Sequence, residues 1–491
     1  MPNNDGSTFY SVKISAPGSV VTMDVLNDTV VNLSLGVTDT LSINSGNTLG
    51  LGTSTTSSNA GTLINNGTLF NGVGGFGSID NTGTIINTGT INNVEGTAIN
   101  NSGTITNTGT IWFSQGGGFD NSGALTNTGL ISVYQSILNN AGTLNNIGGS
   151  IEVNNESTLT NTSTLNNIGG TIVITNGAFG LTNKGTLYND STSTISNING
   201  GINNAGTLNN AGTLNNGATP FSGLNNLNNS GTINNSGTLN NGSSGTINNT
   251  GTINNIPGGS LNNSGTLNNS GTITNSGTFA NSGAVTISSS GLLTTSSNYT
   301  QTAGSTVVNG TLTGTGGAIV NIQGGTLSGT GVVNGNVVMA GIMSPGDATG
   351  VGNFTINGDY TQTSTGTLQE KVGWLNGCNA SLFTVNGVAN LNGTLALSLL
   401  SGYDPTAGDS FILMTFLSAY GSFNTVTGLN LGNNLFFDLI YDPHDIRVEV
   451  ESQLATPEPN SFLLVLGCVP ILVLYRKRLA AMMANAFGMA S

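Results

Sequence analysis

The chain has 491 residues, only 6% of them charged, and its seven Lys and Arg against 21 Asp and Glu leave a net charge of −14. Three of the seven bases, Arg476, Lys477 and Arg478, sit together near the end, so no basic stripe is available to release counterions and a nucleic-acid partner is excluded. With 75 glycines, a mean hydropathy of +0.07 and polarity supplied mainly by Asn, Ser and Thr, a charged disordered chain is excluded too.

Residues 1–60 open with MPNNDGSTFY (Met1–Tyr10), which has no basic n-region, no apolar run and no small-residue cleavage site. From Val12 onward Val20, Val21, Met23, Val25, Val30, Val31, Leu33, Leu35, Leu41 and Ile43 alternate with polar residues. Ser42–Gly52, SINSGNTLGLG, has the form strand, corner, strand. Coils are expected to begin almost at once.

Across residues 61–290 a hexad close to Asn-Ser-Gly-Thr-Leu-Asn recurs. In Leu261–Thr286, LNNSGTLNNSGTITNSGTFANSGAVT, it places Gly265, Gly271, Gly277 and Gly283 six residues apart, with one reliably apolar position per hexad. A longer period lies over it. Gly83, Gly103, Gly123 and Gly142 are separated by 20, 20 and 19 residues, and Ser163, Gly185 and Gly206 continue at 21, 22 and 21. Two hexads plus a variable segment therefore form one unit, the signature of a solenoid. Six residues are too few for a helical repeat. One apolar residue flanked by Thr and Asn suits a strand of about three residues with its central side chain inward. Asn-Ser-Gly then supplies a corner in which Gly accepts positive φ and Asn tolerates the left-handed region. Three legs close a coil, and roughly eleven coils about 4.8 Å apart make a rod on the order of 50 Å long. Leu, Ile and Val stack inside, and the adjacent Asn can form amide ladders along the axis.

The repeat holds six acids, Asp80, Glu95, Asp120, Glu152, Glu156 and Asp190, and one base, Lys184. Asp80 and Asp120 share a repeat position two coils apart, which puts their carboxylates about 10 Å from each other, the separation of an inverting glycosidase pair. Since no other ionisable residue recurs nearby, Asp is expected merely to replace the Asn common at that position. Trp112 and Tyr134 can stack on sugars or shield a corner. The Asn-x-Ser/Thr triplets fall out of the repeat and receive no site role.

In residues 291–368 the hexad gives way to longer strands: GTLSGTGVVNGNV, a Ser344-Pro345-Gly346 turn and NGDYTQ (Asn357–Gln362). This stretch resembles the late passenger region of bacterial autotransporters and related β-strand-repeat surface proteins, over roughly Gly310–Val450. The resemblance implies a right-handed parallel β-helix exported to the cell surface. Residues 369–452, with the bulky strands of Thr394–Phe416 and Asn433–Val450, are expected to form a β-rich cap over the last coil, whose sheet edge would otherwise be open. His444, the only histidine, lies in the YDPHD turn, and with Asp442 and Asp445 it makes neither a metal set nor a triad.

Residues 453–478 run from Pro457-Glu458-Pro459 through the apolar Phe462–Tyr475 to Arg476-Lys477-Arg478, the order of a short membrane anchor with a cytoplasmic basic stop. At 14 residues and interrupted by Pro470, the apolar run is shorter than the ~20 of a full span, so a buried element is the alternative. The tripartite order resembles the PEP-CTERM sorting signal of Gram-negative bacteria. Pro457, Glu458 and Pro459 match its motif, and Arg476, Lys477 and Arg478 match its basic end. The resemblance implies an exosortase partner that removes a transient inner-membrane anchor. Two departures stand out: Leu479–Ser491 follows the basic cluster, and the signal peptide that the resemblance implies is not found at the N-terminus, so the natural start is expected to lie upstream. Leu466-Gly467-Cys468 is a chance lipobox, and Cys378 and Cys468 lie in segments too different to form a disulfide framework.

The expected fold is thus all-β: a parallel, right-handed β-helix of ~20-residue coils, a β-rich cap and a short C-terminal transmembrane helix, with residues 479–491 as a tail. The expected function is a non-enzymatic exported surface or matrix protein, adhesin-like or biofilm-forming, without cofactor or metal, whose partners include surface polysaccharide or other cells. The alternative is a β-helix polysaccharide lyase or glycosidase. Lys13, Lys184 and Lys371, the only bases before Arg447, lie outside any acidic cluster, so the acid and base set of a lyase is not evident. A hexapeptide acyltransferase would need strict 18-residue coils and a catalytic His within the repeat, and His444 is outside it.

Overall fold

A computed structural model describes residues 10–23, 26–52, 55–217, 225–347, 352–375, 378–379 and 381–453. Among them the chain forms strands and no helix, nearly all joined in one 57-stranded sheet wound into a parallel solenoid.

Each coil has three short strands, as in Ser78–Asn81, Thr84–Asn87 and Thr90–Asn93, and each strand pairs in parallel with its counterpart one coil on. The register stacks like on like: Ile79, Ile99 and Phe119 on the first face, Ile85, Ile105 and Leu125 on the second, Ile91, Ile111 and Ile131 on the third. These side chains are all buried, each contributing about 1.5–3 kcal/mol.

The expectation of one inward side chain per strand needs correction. Two point inward, because a four-residue strand such as Thr84-Ile85-Ile86-Asn87 alternates and buries both Ile85 and Asn87. The second column is a continuous amide ladder inside the rod. Asn59, Asn81, Asn101, Asn121, Asn140, Asn161, Asn183, Asn204, Asn229 and Asn249 each donate Nδ2 to the next Oδ1, the last being that of Asn269, at 2.6 to 2.8 Å. Its steps of 22, 20, 20, 19, 21, 22, 21, 25, 20 and 20 residues display the coil period directly. Every amide also reaches a backbone carbonyl of the next coil, as Asn101 Nδ2 does with Ala124 O at 3.1 Å. A second ladder runs from Asn65 to Asn275. A third, from Asn71 to Asn93 and again from Asn197 to Asn281, is interrupted by Phe113, Val133, Val153 and Ile174 in the same register. Ladder polarity explains three orphan acceptors: Asn59, Asn65 and Asn197 open their ladders, and their buried Oδ1 atoms receive no donor.

The hexad glycine also acts differently from expectation. Gly83, Gly103 and Gly123 are absent from the residues with positive φ, so the corner is not a left-handed one. A Cβ on Gly103 would lie 2.1 Å from the Gly83 carbonyl oxygen of the preceding coil, so glycine is there to let the corners stack. Positive φ occurs at the longer third corner instead, at Glu95 (54°) and Gly96 (72°), then Gln115 (53°) and Gly116 (82°).

All three ladders end where the hexad fades. Ile287 replaces the amide after Asn269, Thr295 Oγ1 receives Asn275, and Gln301 Oε1 receives Asn281. Parallel pairing continues past residue 369, through Thr367–Val372 with Thr394–Leu399, to Thr425–Thr427. The antiparallel strand Asp445–Ser452 then lies along Ser410–Gly421 and is backed by Leu435–Tyr441, covering the edge of the last long strand. The expected transmembrane helix falls within 454–491, outside the described residues.

Candidate functional site

The paired acids are the natural place to look for chemistry. Asp80, Asn100, Asp120 and Asn139 form one outward column on the first face. Asn100 Nδ2 donates to Asp80 Oδ1 at 2.7 Å and Asn139 Nδ2 to Asp120 Oδ1 at 2.8 Å, so each carboxylate continues an outer amide ladder such as Asn228, Asn248 and Asn268 make elsewhere. The two acids are two coils, about 9.6 Å, apart. They line an open groove of about 510 Å³ with Thr82, Ser102, Ser122 and Ala141, and no Lys, Arg or His lines it.

His444 sits in its turn with Nδ1 2.9 Å from the Leu417 carbonyl. Arg447 is held by Asp442 and by Glu449 Oε1 at 3.2 Å. No group of three His, Cys, Asp or Glu among the described residues could hold a metal ion. Trp112 lies mid-strand on the third face, 47% exposed, rather than at a corner, and Tyr134 ends the next strand of that face. Cys468 and the sorting residues Pro457, Glu458, Pro459, Arg476, Lys477 and Arg478 lie outside the described residues. Among the described residues no helix is long and apolar enough to cross a membrane.

Two buried polar clusters went unnoticed in the sequence. Tyr299 Oη meets Thr306 Oγ1 at 2.5 Å, Thr306 donates to Gln301 Oε1 at 2.6 Å, and Gln301 Nε2 binds the Gly324 carbonyl at 2.9 Å. The same Tyr-Thr-Gln triplet recurs at Tyr360–Gln362, where Tyr360 donates to Gln362 Oε1 at 2.8 Å. Gln thus takes over the inner position that Asn holds earlier. Burial pushes both tyrosine hydroxyls well above their ordinary range. The second cluster is Glu370, 1% exposed, at the inner position two residues after Leu368. Burial pushes its carboxyl up to about 8, against the opposing hydrogen bond from Ser381, whose Oγ is 2.6 Å from Oε2 and 3.1 Å from the Lys371 carbonyl. The sequence signal was there: in a strand that buries Leu368, alternation buries Glu370 as well.

The fold so defined is a parallel β-solenoid with an amide-laddered interior. No protein-family model matches the chain, and no curated protein matches it. Among solved structures, a crystal structure of a TibC-catalyzed hyper-glycosylated TibA55-350 fragment matches at 14% identity. The match covers 84% of this chain and 100% of that one; its TM-score of 0.22 is too low to carry any argument about fold or function.

Proposed function

We propose that the chain is a non-enzymatic structural or adhesin-like protein of the cell surface or extracellular matrix, exported and sorted through its C-terminal tail. What supports this is the continuous sheet stack from Ser11 to Thr427, closed inside by side chains and faced outside by Thr, Asn and Ser columns. Such a solenoid provides length and repeated surface, which fits a surface or adhesin-like protein. The PEP-CTERM-like order of Pro457-Glu458-Pro459, apolar run and Arg476-Lys477-Arg478 supplies the sorting step, with an exosortase-type partner and a transient inner-membrane anchor.

In a Gram-negative host with exosortase, intact-mass analysis should find the mature chain ending near Pro459, with Phe462–Ser491 removed. Changing Pro457 and Pro459 to Ala should leave it uncut in the inner membrane. Wild-type protein recovered from the surface with Ser491 attached refutes the sorting step. Calcium-dependent cleavage of a polysaccharide, abolished by Asp80→Asn or Asp120→Asn, would overturn the non-enzymatic reading.

A further inference from the structure

Aromatic residues are scarce in this chain, at 6%, yet several gather on the third face of neighbouring coils. The parallel register aligns Phe70 with Asn92, Asn92 with Trp112, Trp112 with Ser132 and Ser132 with Glu152, in one outward column. Phe70 is half-buried and Trp112 47% exposed. Tyr134 lies two residues beyond Ser132, on the same outward side of its strand. Phe76, 79% exposed, lies against Gly96 at the corner that follows this face. Beside the column runs a second one, Thr48, Thr68, Thr90 and Thr110, whose hydroxyls are spaced by single coil steps.

We propose that this face binds a neutral, extended β-1,4-linked polysaccharide running along the rod axis, with Phe70 and Trp112 stacking on alternate sugar rings. Spacing carries the inference. Two coil steps separate the two rings by about 9.6 Å, close to the length of a disaccharide in an extended β-1,4-linked chain. Sugar rings in such a chain present flat C–H faces, to which an exposed aromatic ring offers a matching apolar plane. The Thr column supplies hydroxyls alongside, at half that repeat, so each sugar ring meets one Thr. Charge selects against anionic polymers: Glu95 and Glu152 flank the aromatic residues, and the only base in residues 61–290 is Lys184. A uronate chain would meet acids without a compensating cation, whereas a neutral glucan or an N-acetylated chain would not.

The proposal names the ligand class for the surface protein proposed above and rests on that reading for its biological setting. Binding is measured on the purified full chain and tail processing in cells, so either result can fail without the other. The chain has two tryptophans, Trp112 and Trp374, so Trp374→Phe leaves Trp112 as the sole indole reporter. In that background, titration with cellohexaose should change the indole emission, and microcrystalline cellulose or chitin should deplete the protein from solution. Trp112→Ala and Phe70→Ala each remove an outward side chain, leave the interior columns intact, and should each lower the partition onto the polymer by about tenfold. Tyr188→Ala, an exposed aromatic on the second face, should leave it unchanged. Failure of both neutral polymers to deplete the protein overturns the proposal, as does wild-type partition by Trp112→Ala, or retention only by polygalacturonate.

Discussion

Glu370 offers a quantitative test of how the coil stack treats a misplaced charge. Its carboxyl is raised from 4.5 to about 8 by burial, so folding favours the protonated acid. A protonated Glu370 donates to Ser381 Oγ, which frees the Ser381 hydroxyl to serve the Lys371 carbonyl. A raised folded value means that this group's contribution is fully present below about pH 4.5 and is lost as pH rises through about 8. Between those values stability should fall by about 1.4 kcal/mol per pH unit, flattening near pH 8, which amounts to about 3 kcal/mol at pH 7 and about 4 at pH 8. Glu370→Gln retains a donor for Ser381, carries no charge, and should remove the slope. The effect is local in a solenoid, so the assay is native-state hydrogen exchange of Thr367–Val372 and its partner Thr394–Leu399 from pH 5 to 8. Opening free energies are compared after correction for intrinsic exchange. Equal slopes in wild type and Glu370→Gln, or a wild-type stability that rises with pH, would refute a carboxyl held neutral inside the stack.

Other substitutions separate the remaining elements of the design. Gly103→Ala should cost several kcal/mol by urea denaturation, since its Cβ would meet the Gly83 carbonyl at 2.1 Å; Gly118→Ala, with nothing within 4 Å, should be tolerated, and equal midpoints would sink the stacking account. Asn107→Ala removes Nδ2 bonds to Asn127 at 2.7 Å and Leu130 at 3.1 Å, leaves Asn127 Oδ1 without its donor and takes one acceptor from Asn87 Nδ2, for about 3 kcal/mol, whereas its outward neighbour Thr106→Ala should stay within ~0.5. Ile273→Asp buries an unpaired charge and should abolish cooperative melting of its coils, while Thr272→Ser should leave it intact.

The fold class was legible because a six-residue spacing with one aliphatic position cannot build a helix and can build a short strand. The inner Asn was harder to place. A column of Asn looks like surface in any single strand, and only alternation from Ile85 to Asn87 reveals it as interior, where neighbouring coils satisfy the amide that one strand would leave bare. The glycine was misplaced for a related reason. Local chemistry suggests positive φ, but the requirement at Gly103 comes from the coil below, 20 residues earlier in the chain, and a window of six residues does not contain it.

Sites on such a rod are hidden from the sequence by the same geometry. Phe70 and Trp112 are 42 residues apart, and nothing local relates them until the coil lengths between them are known. Coil length varies from one turn to the next, and the third corner absorbs much of that variation, as between Asn93 and Ala98 and between Tyr134 and Ile137. The first two corners keep two residues each in these coils, so the columns stay in register whatever the third corner inserts. A surface column is therefore a property of stacking. An insertion at the third corner changes what that corner displays and leaves the aromatic column aligned, whereas a one-residue insertion within Thr110–Phe113 turns Trp112 inward and Ile111 outward. On this fold a ligand-binding face can change one outward residue at a time, because each outward position is separated from the interior by the alternation of a single strand.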